Sequence, residues 1–415
     1  MRDKQNRINR RGFLQTAGVA GIGSLLAGCR KKQQPPDNVD ANLVKRPSKD
    51  PSVAVPRRKL GRTDAEIPVL SLGTFQVDVD NQILLRKTLE AGVNFWDTAY
   101  SYADGNSELG IGKFLTKNPN VRRSLFLVTK ASDAVGAAQI EQRIQTSLKR
   151  IKTDYIDLYH GLHKCSDPGL LSDEIRHWAE DAKKRKLIRY FGLTTHQNTA
   201  QVLAAASKCP WIDAAMFSYN FRLVQDAELQ TAIDACHKAG IGLIAMKVMG
   251  KGQTVPTEAE EKLISHFHDR GFDESQARVK LVLEDHRFAS ACVGMNSIKI
   301  LNSNIAAVLD KTELTVADRA ALAEYAKATC SGYCAGCADI CNAALPDAPY
   351  ISDIMRYLMY YNSYGEHAEA KRLFAQIPSE LRRKLPSLNC RLAEARCPQR
   401  LPISELVTEA VSKLA

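Results

Sequence analysis

Three residues spaced along two apolar runs have the types needed for proton transfer. Asp97 ends Asn94-Phe95-Trp96-Asp97, Tyr102 follows in the next loop, and Lys130 ends Phe126-Leu127-Val128-Thr129-Lys130. A buried lysine beside a carboxylate stays charged, and its field is expected to lower the pKa of a nearby phenol toward the working range. The set reads as a tunable proton donor; the competing reading is an incidental polar end of a core. His160 and His163 follow on a third apolar run, each able to orient an oxygen or to sit as a satisfied polar residue at a strand end. Of 11 cysteines, Cys165, Cys209, Cys236 and Cys292 are scattered like small core residues. The others near the C-terminus, Cys330, Cys334, Cys337, Cys341, Cys390 and Cys397, begin as C-x3-C-x2-C-x3-C, a pattern open to metal or disulfide.

The elements that must carry these residues follow from periodicity. From Ile67 onward, short apolar runs alternate with amphipathic helical stretches, the pattern of a parallel sheet wrapped by helices. Strands are expected near 69–74, 95–99, 125–130, 155–160, 190–194, 214–219, 243–246 and 291–294, with helices such as 137–151, 173–186, 226–238 and 298–309. Eight such units predict an α/β (β/α)8 TIM barrel, which places chemistry at the C-terminal ends of its strands. A doubly wound open sheet is the runner-up, but Gly73-Thr74 is not a Gly-rich dinucleotide turn. The domains read as an export signal over 1–29, a flexible linker over 30–55, a barrel over 56–312 and a mainly helical, cysteine-containing segment over 313–415.

The net charge of +11 sits in the tail, not the body. The first 62 residues hold 15 Lys/Arg against 4 Asp/Glu, so the remainder is balanced and no nucleic-acid groove is expected. Arg10-Arg11, then a short apolar run from Ala17 to Ala27, resembles a twin-arginine export signal. Leu26-Ala27-Gly28-Cys29 resembles a lipoprotein box, making Cys29 a lipidation candidate. The expected location is periplasmic or membrane-anchored on the outer side, with membrane contact only through the signal or lipid. A basic tail with a chance apolar stretch explains the same residues.

The reaction-centre residues also carry a family resemblance. Asp97-Thr98-Ala99-Tyr100-Ser101-Tyr102 with Ser107-Glu108, and then Lys130, resembles the aldo/keto reductase motif. Ser147 to Arg150, Thr153 to Tyr159, Gly192 to His196, Tyr219-Asn220 and Ala245-Met246-Lys247 match further segments of that family in order, across roughly residues 56–310. The resemblance implies an NAD- or NADP-linked oxidoreductase acting on a small carbonyl or alcohol, with Tyr102 as proton donor and Asp97 and Lys130 tuning it. It implies cofactor contacts at Gly73, Thr74, Thr195, His196, Asn220, Lys247, Ser297 and Asn304. Met216 stands where family members commonly have Gln, and Gly294 and Ile300 stand where many have phosphate-binding cations, so NAD against NADP stays open.

The family's histidine position falls on Leu162, between His160 and His163. Strand alternation puts His160 on the face of Ile156 and Leu158 and favours it slightly, whereas His163 points away unless a bulge intervenes. The C-terminal cysteines and Cys397-Pro398 resemble a degenerate ferredoxin-like tail, which implies one 4Fe-4S cluster on Cys330, Cys334, Cys337 and Cys397 and a Cys341–Cys390 disulfide. Disulfides alone, or zinc, explain the same residues. Two further readings stand beside the carbonyl oxidoreductase: an exported, inactive barrel acting as a binding or structural module, and an iron–sulfur electron-transfer protein with a redox partner.

Overall fold

Each of the eight apolar runs forms a strand. The computed structural model describes residues 54–254 and 256–415, so the expected export signal, Cys29 and nearly all of the linker lie outside the described residues. A short antiparallel hairpin comes first, β1 (Arg57–Lys59) and β2 (Glu66–Pro68). Eight parallel strands follow: β3 (Leu70–Gly73), β4 (Phe95–Asp97), β5 (Phe126–Lys130), β6 (Ile156–Leu162), β7 (Ile188–Thr195), β8 (Ala214–Ser218), β9 (Gly242–Met246) and β10 (Phe288–Gly294). They close in the order β10-β3-β4-β5-β6-β7-β8-β9, the expected (β/α)8 barrel.

The strands read as nearly continuous apolar runs because both of their faces are covered. Alternate residues go to opposite sides: Phe95, Val128 and Leu158 fill the lumen, while Trp96, Leu127 and Tyr159 pack under the helices. The same alternation carries Asp97, Lys130 and His160 to the lumen side. The β1–β2 hairpin was not foreseen; it plugs the barrel floor with fully buried Leu60 and Ile67. Gly242 makes room for this plug, since a Cβ there would lie 2.4 Å from Leu60 Cδ1.

Polar caps start the helices. Asp226 accepts from Leu229 N at 3.0 Å ahead of the helix Ala227–Lys238, and Asp273 forms a capping box with Gln276. A second capping box, Thr315 with Asp318, opens the helix Val316–Ala328. That helix lies beyond the expected barrel end, yet its Leu322 and Tyr325 share a cluster with Phe221, Leu263 and Phe267 of the barrel's outer layer.

The remaining chain is helical, as expected, and has its own core, with Ile354, Leu358, Phe374, Leu406 and Val407 at its centre. Its central helix, Ile351–Tyr364, buries Ile351, Ile354, Met355 and Leu358 at helical spacing and stops at Gly365, whose φ of 71° suits a left-handed cap. The described chain belongs to one compact unit. Among the described residues no helix is long and apolar enough to cross a membrane.

Candidate active site

Two adjacent strands bring the reaction-centre residues together. Asp97 is the last residue of β4 and Lys130 the last of β5, so parallel pairing sets both at the top of the lumen. Lys130 is 1% exposed and its Nζ has three partners: Asp97 Oδ2 at 2.6 Å, Thr98 O at 2.7 Å and Tyr102 Oη at 3.2 Å. Tyr102 opens a single turn in which Ala103 and Asp104 are both left-handed, at φ 49° and 54°. Such backbone costs non-glycine residues roughly 1–2 kcal/mol each and often marks a functional site. Behind the turn, buried Glu108 accepts from Thr129 Oγ1 at 2.8 Å and pairs with Arg150 at 3.2 Å, anchoring the following helix to β5.

The electrostatics differ from the expectation. Burial raises the Tyr102 phenol well above its usual value, and the Asp97 charge adds to the rise. Burial likewise raises the Asp97 carboxyl against the opposing pull of Lys130. The phenol is thus pushed up and not down, first by burial and then by the charge of Asp97, which lies 2.6 Å from the lysine that would lower it. Tyr102 therefore keeps its proton at neutral pH, a state suited to donation.

The histidine question turns on one bulge. Between β6 and β7, His160 pairs with Gly192 but Leu162 pairs with Leu193, so Gly161 is the extra residue. The bulge restores the parity that simple alternation denied to His163, which lines the cavity beside Tyr102. His160 is fully buried in the lumen opposite Lys130, with neither ring nitrogen hydrogen-bonded. His163, and not His160, therefore stands on the cavity wall. Gly161 is required because a Cβ there would lie 2.3 Å from the Phe191 ring.

The cavity has a volume of about 130 Å³, and its walls include Phe75, Met216, Met246, Val293 and Lys247. The residues suggested as cofactor contacts divide into free and committed groups. Gly73 and His196 line the cavity, and His196 Nδ1 has no partner. Asn304 is buried on the helix Ile298–Leu309 with Nδ2 unpaired, and Ser297 caps that helix by accepting from Ile300 N at 3.3 Å. Gly294 at the rim is exposed, with open space where a Cβ would be. His196 Nδ1 and Asn304 Nδ2 thus remain available to a nicotinamide cofactor.

Thr74 is committed, bonding to Asp97 O at 2.9 Å and to Ser107 Oγ at 2.8 Å, and Thr195 Oγ1 donates to Gln197 O at 2.8 Å. Asn220 is not available to a cofactor, because its amide serves Lys247 O, Tyr333 Oη and Arg222 N. Sequence reasoning missed Tyr360 and Tyr364, which the C-terminal helix Ile351–Tyr364 brings to the same cavity. No signal near the barrel motifs points to them. Lys247 Nζ lies 4.4 Å from the Tyr360 ring centroid. That lysine, with Arg356 and Lys164, draws the Tyr360 phenol below its usual pKa despite burial.

The structure groups the cysteines differently from the expectation: Cys334, Cys337, Cys341 and Cys397 line one cavity of about 10 Å³, and Cys330 lies outside it. Cys337 directly precedes the helix Ala338–Ala344, which carries Cys341 inward, while Cys330 sits in an earlier turn. Among the described residues no group of three or more His, Cys, Asp or Glu is arranged to hold a metal ion. Burial pushes Cys337 and Cys341 up to about 12. Cys341 and Cys390 are both free, so the expected crosslink is not formed.

The structure thus sets a lysine, a carboxylate and a phenol together at the strand ends of a closed parallel barrel. The family model described as "Aldo/keto reductase family" matches residues 70–327, and the chain belongs to that family. Its members are NAD(P)-dependent oxidoreductases, and this chain takes that class with its substrate unassigned. The chain is 25% identical over 276 residues to aldo-keto reductase AFTS1 of Alternaria alternata, covering 52% of this chain and 74% of the relative. It is 24% identical to L-galactose dehydrogenase of Arabidopsis thaliana, over 62% of this chain and 89% of the relative. It is 31% identical to the oxidoreductase YqkF of Bacillus subtilis, but that match spans only 48% of the relative. The solved holo form of aldo-keto reductase AKR11C1 from Bacillus halodurans shares the fold, with a TM-score of 0.55, 23% identity and coverage of 65% of this chain and 96% of that one.

Proposed function

We propose that this protein reduces the carbonyl group of a small substrate to an alcohol, with Tyr102 as the proton donor. The observation that carries the proposal is the Lys130 ammonium, which holds both Asp97 and Tyr102 while the phenol keeps its proton. When bound, a nicotinamide cofactor supplies hydride to the carbonyl carbon. Tyr102 delivers a proton to the carbonyl oxygen, and Lys130, fixed by Asp97, stabilises the phenolate as it forms. His163, kept neutral by burial, stands where it can hydrogen-bond the same oxygen. Gly73, His196, Lys247, Ser297 and Asn304 would hold the cofactor. Gly294 and Ile300 stand where many family members have phosphate-binding cations, while Lys299 is exposed beside Ile300, so NAD against NADP is decided by titration.

The export reading of residues 1–29, with lipidation at Cys29, belongs to this proposal and places the reaction outside the cytoplasm. A binding module without turnover is the second reading, favoured by the engagement of Asn220 with Tyr333. Titrating the purified chain with NADH and NADPH while screening aldehydes separates the two. The expected result is binding of one of the two nucleotides with turnover; absence of nucleotide binding and of turnover would support the second reading.

A further inference from the structure

The turn that carries Tyr102 is held from outside the cavity. Three successive residues, Ala103, Asp104 and Gly105, have positive φ, at 49°, 54° and 88°. Two of them are not glycine, and such backbone persists only where its surroundings over-determine it. Within the turn the backbone bonds are local: Tyr102 N donates to Ala99 O and Asp104 N to Ser101 O, both at 3.1 Å. The fixing group is Arg150, in the last turn of the helix Gly136–Ile151. Its Nη1 donates to Tyr100 O at 2.8 Å, two residues before Tyr102, and to Glu108 Oε2 at 3.2 Å, on the helix Asn106–Lys117 after the turn. Its guanidinium also packs on Gly105, where a Cβ would lie 2.7 Å from Cζ. The turn is therefore gripped before, at and after its strained residues.

Arg150 is itself aimed. Glu108 is fully buried and accepts from Thr129 Oγ1 at 2.8 Å, the residue before Lys130. Arg150 and Arg143 both lie over the Tyr100 ring, with Cζ 4.5 Å and 4.3 Å from its centroid, and Arg143 Nε donates to Ser132 O at 3.2 Å. Gly112 lets the two helices touch, since a Cβ there would lie 2.0 Å from Arg150 O. These contacts tie the Tyr102 turn to the strand end that carries Lys130. Tyr100, Glu108, Arg143 and Arg150 are not among the residues that line the cavity, so they reach the reaction only through position.

We propose that Arg150 is a positioning residue for Tyr102, whose contacts to Tyr100, Gly105 and Glu108 set the phenol hydroxyl against Lys130. Of the three bonds that Lys130 Nζ makes, the one to Tyr102 is the longest, at 3.2 Å, and it is the one the turn controls. Its kinetic consequence rests on the carbonyl–alcohol reading above. Arg150→Met removes the guanidinium and keeps the apolar stem. It should lower kcat by about 10² and leave KM and nucleotide affinity near wild type, because misplacing a reacting group by about 1 Å costs about that much. Arg150→Lys keeps the charge without the planar fork and should fall between the two.

Arg122→Met is the control. It breaks a buried ion pair with Asp157, at 2.9 Å, near the starts of β5 and β6, and should lower the melting temperature while kcat holds. Fluorine NMR of protein labelled with 3-fluorotyrosine, with the Tyr102 signal assigned through Tyr102→Phe, reads the position without turnover. That signal should move in Arg150→Met and stay in place in Arg122→Met. If Arg150→Met does not fold, Arg150→Lys carries the same two readouts. An unmoved Tyr102 signal, or a kcat that falls no further than in Arg122→Met, overturns the proposal. A moved signal in a chain that reduces no aldehyde upholds the positioning role and overturns the carbonyl–alcohol reading.

Discussion

Lys130 has three donor hydrogens and three acceptors in reach, so it joins a carboxylate, a strand end and a phenol into one rigid unit. The cost of burying its charge is offset by Asp97, while burial first and the Asp97 charge second keep the phenol protonated. The two histidines divide by depth. His163 faces the cavity and touches substrate in the proposed reaction; His160 lies in the lumen opposite Lys130, with its ring held neutral by burial and by the lysine charge. His163→Gln should therefore lower carbonyl reduction by about 10², and His160→Gln by clearly less. Steady-state kinetics on both variants checks this, and the reverse order would return the carbonyl-orienting role to His160.

At the scale of elements, the bulge in β6 decides which side chain reaches the reaction. Gly161 sits against Phe191, whose ring is fully buried between Trp178 at 6.0 Å and Trp211 at 5.6 Å, so it has nowhere to move. Gly161→Ala should cost about 1–3 kcal/mol of stability by overpacking and raise KM as His163 is displaced. Urea unfolding with parallel kinetics tests both effects, and an unchanged midpoint would show that the strand absorbs the methyl group. The barrel strands were legible in the sequence because short, nearly continuous apolar runs ending in Asp97 and Lys130 encode both burial and position. The bulge was not legible, since a glycine in a strand permits an extra residue without requiring one. Tyr360 and Tyr364 were hidden for a different reason: they reach the site through the packing of a helix more than two hundred residues away in the chain.

Across the whole molecule, the barrel and the C-terminal helices are stitched together over the barrel mouth. Gln253 N donates to Gly332 O at 2.7 Å, Cys334 N donates to Gln253 Oε1 at 2.8 Å, and Asn362 Nδ2 donates to Gln253 O at 2.7 Å. Under this cover His160, His163 and His196 all have pKa values well below the usual histidine range, first through burial and then through neighbouring positive charge. The unfolded chain takes up protons on these rings below about pH 6.5 while the folded chain does not. Their stabilising contribution is complete above that pH and is lost as pH falls, by up to about 1.4 kcal/mol per pH unit for each ring. Urea midpoints measured at about pH 7.5 and about pH 5.5 should fall with acid, and His160→Gln should remove part of the slope; identical slopes in the two proteins would contradict the buried, neutral state of His160.

The most direct test of the account is single-turnover carbonyl reduction by Tyr102→Phe, with NADH binding measured on the same sample. Removing the hydroxyl leaves the ring against Phe75 and the Asp97–Lys130 pair in place, so nucleotide affinity should stay near wild type while the rate of reduction drops by about 10² or more. A variant that reduces the same substrate at near the wild-type rate would show that the proton comes from elsewhere and would contradict the assignment of Tyr102.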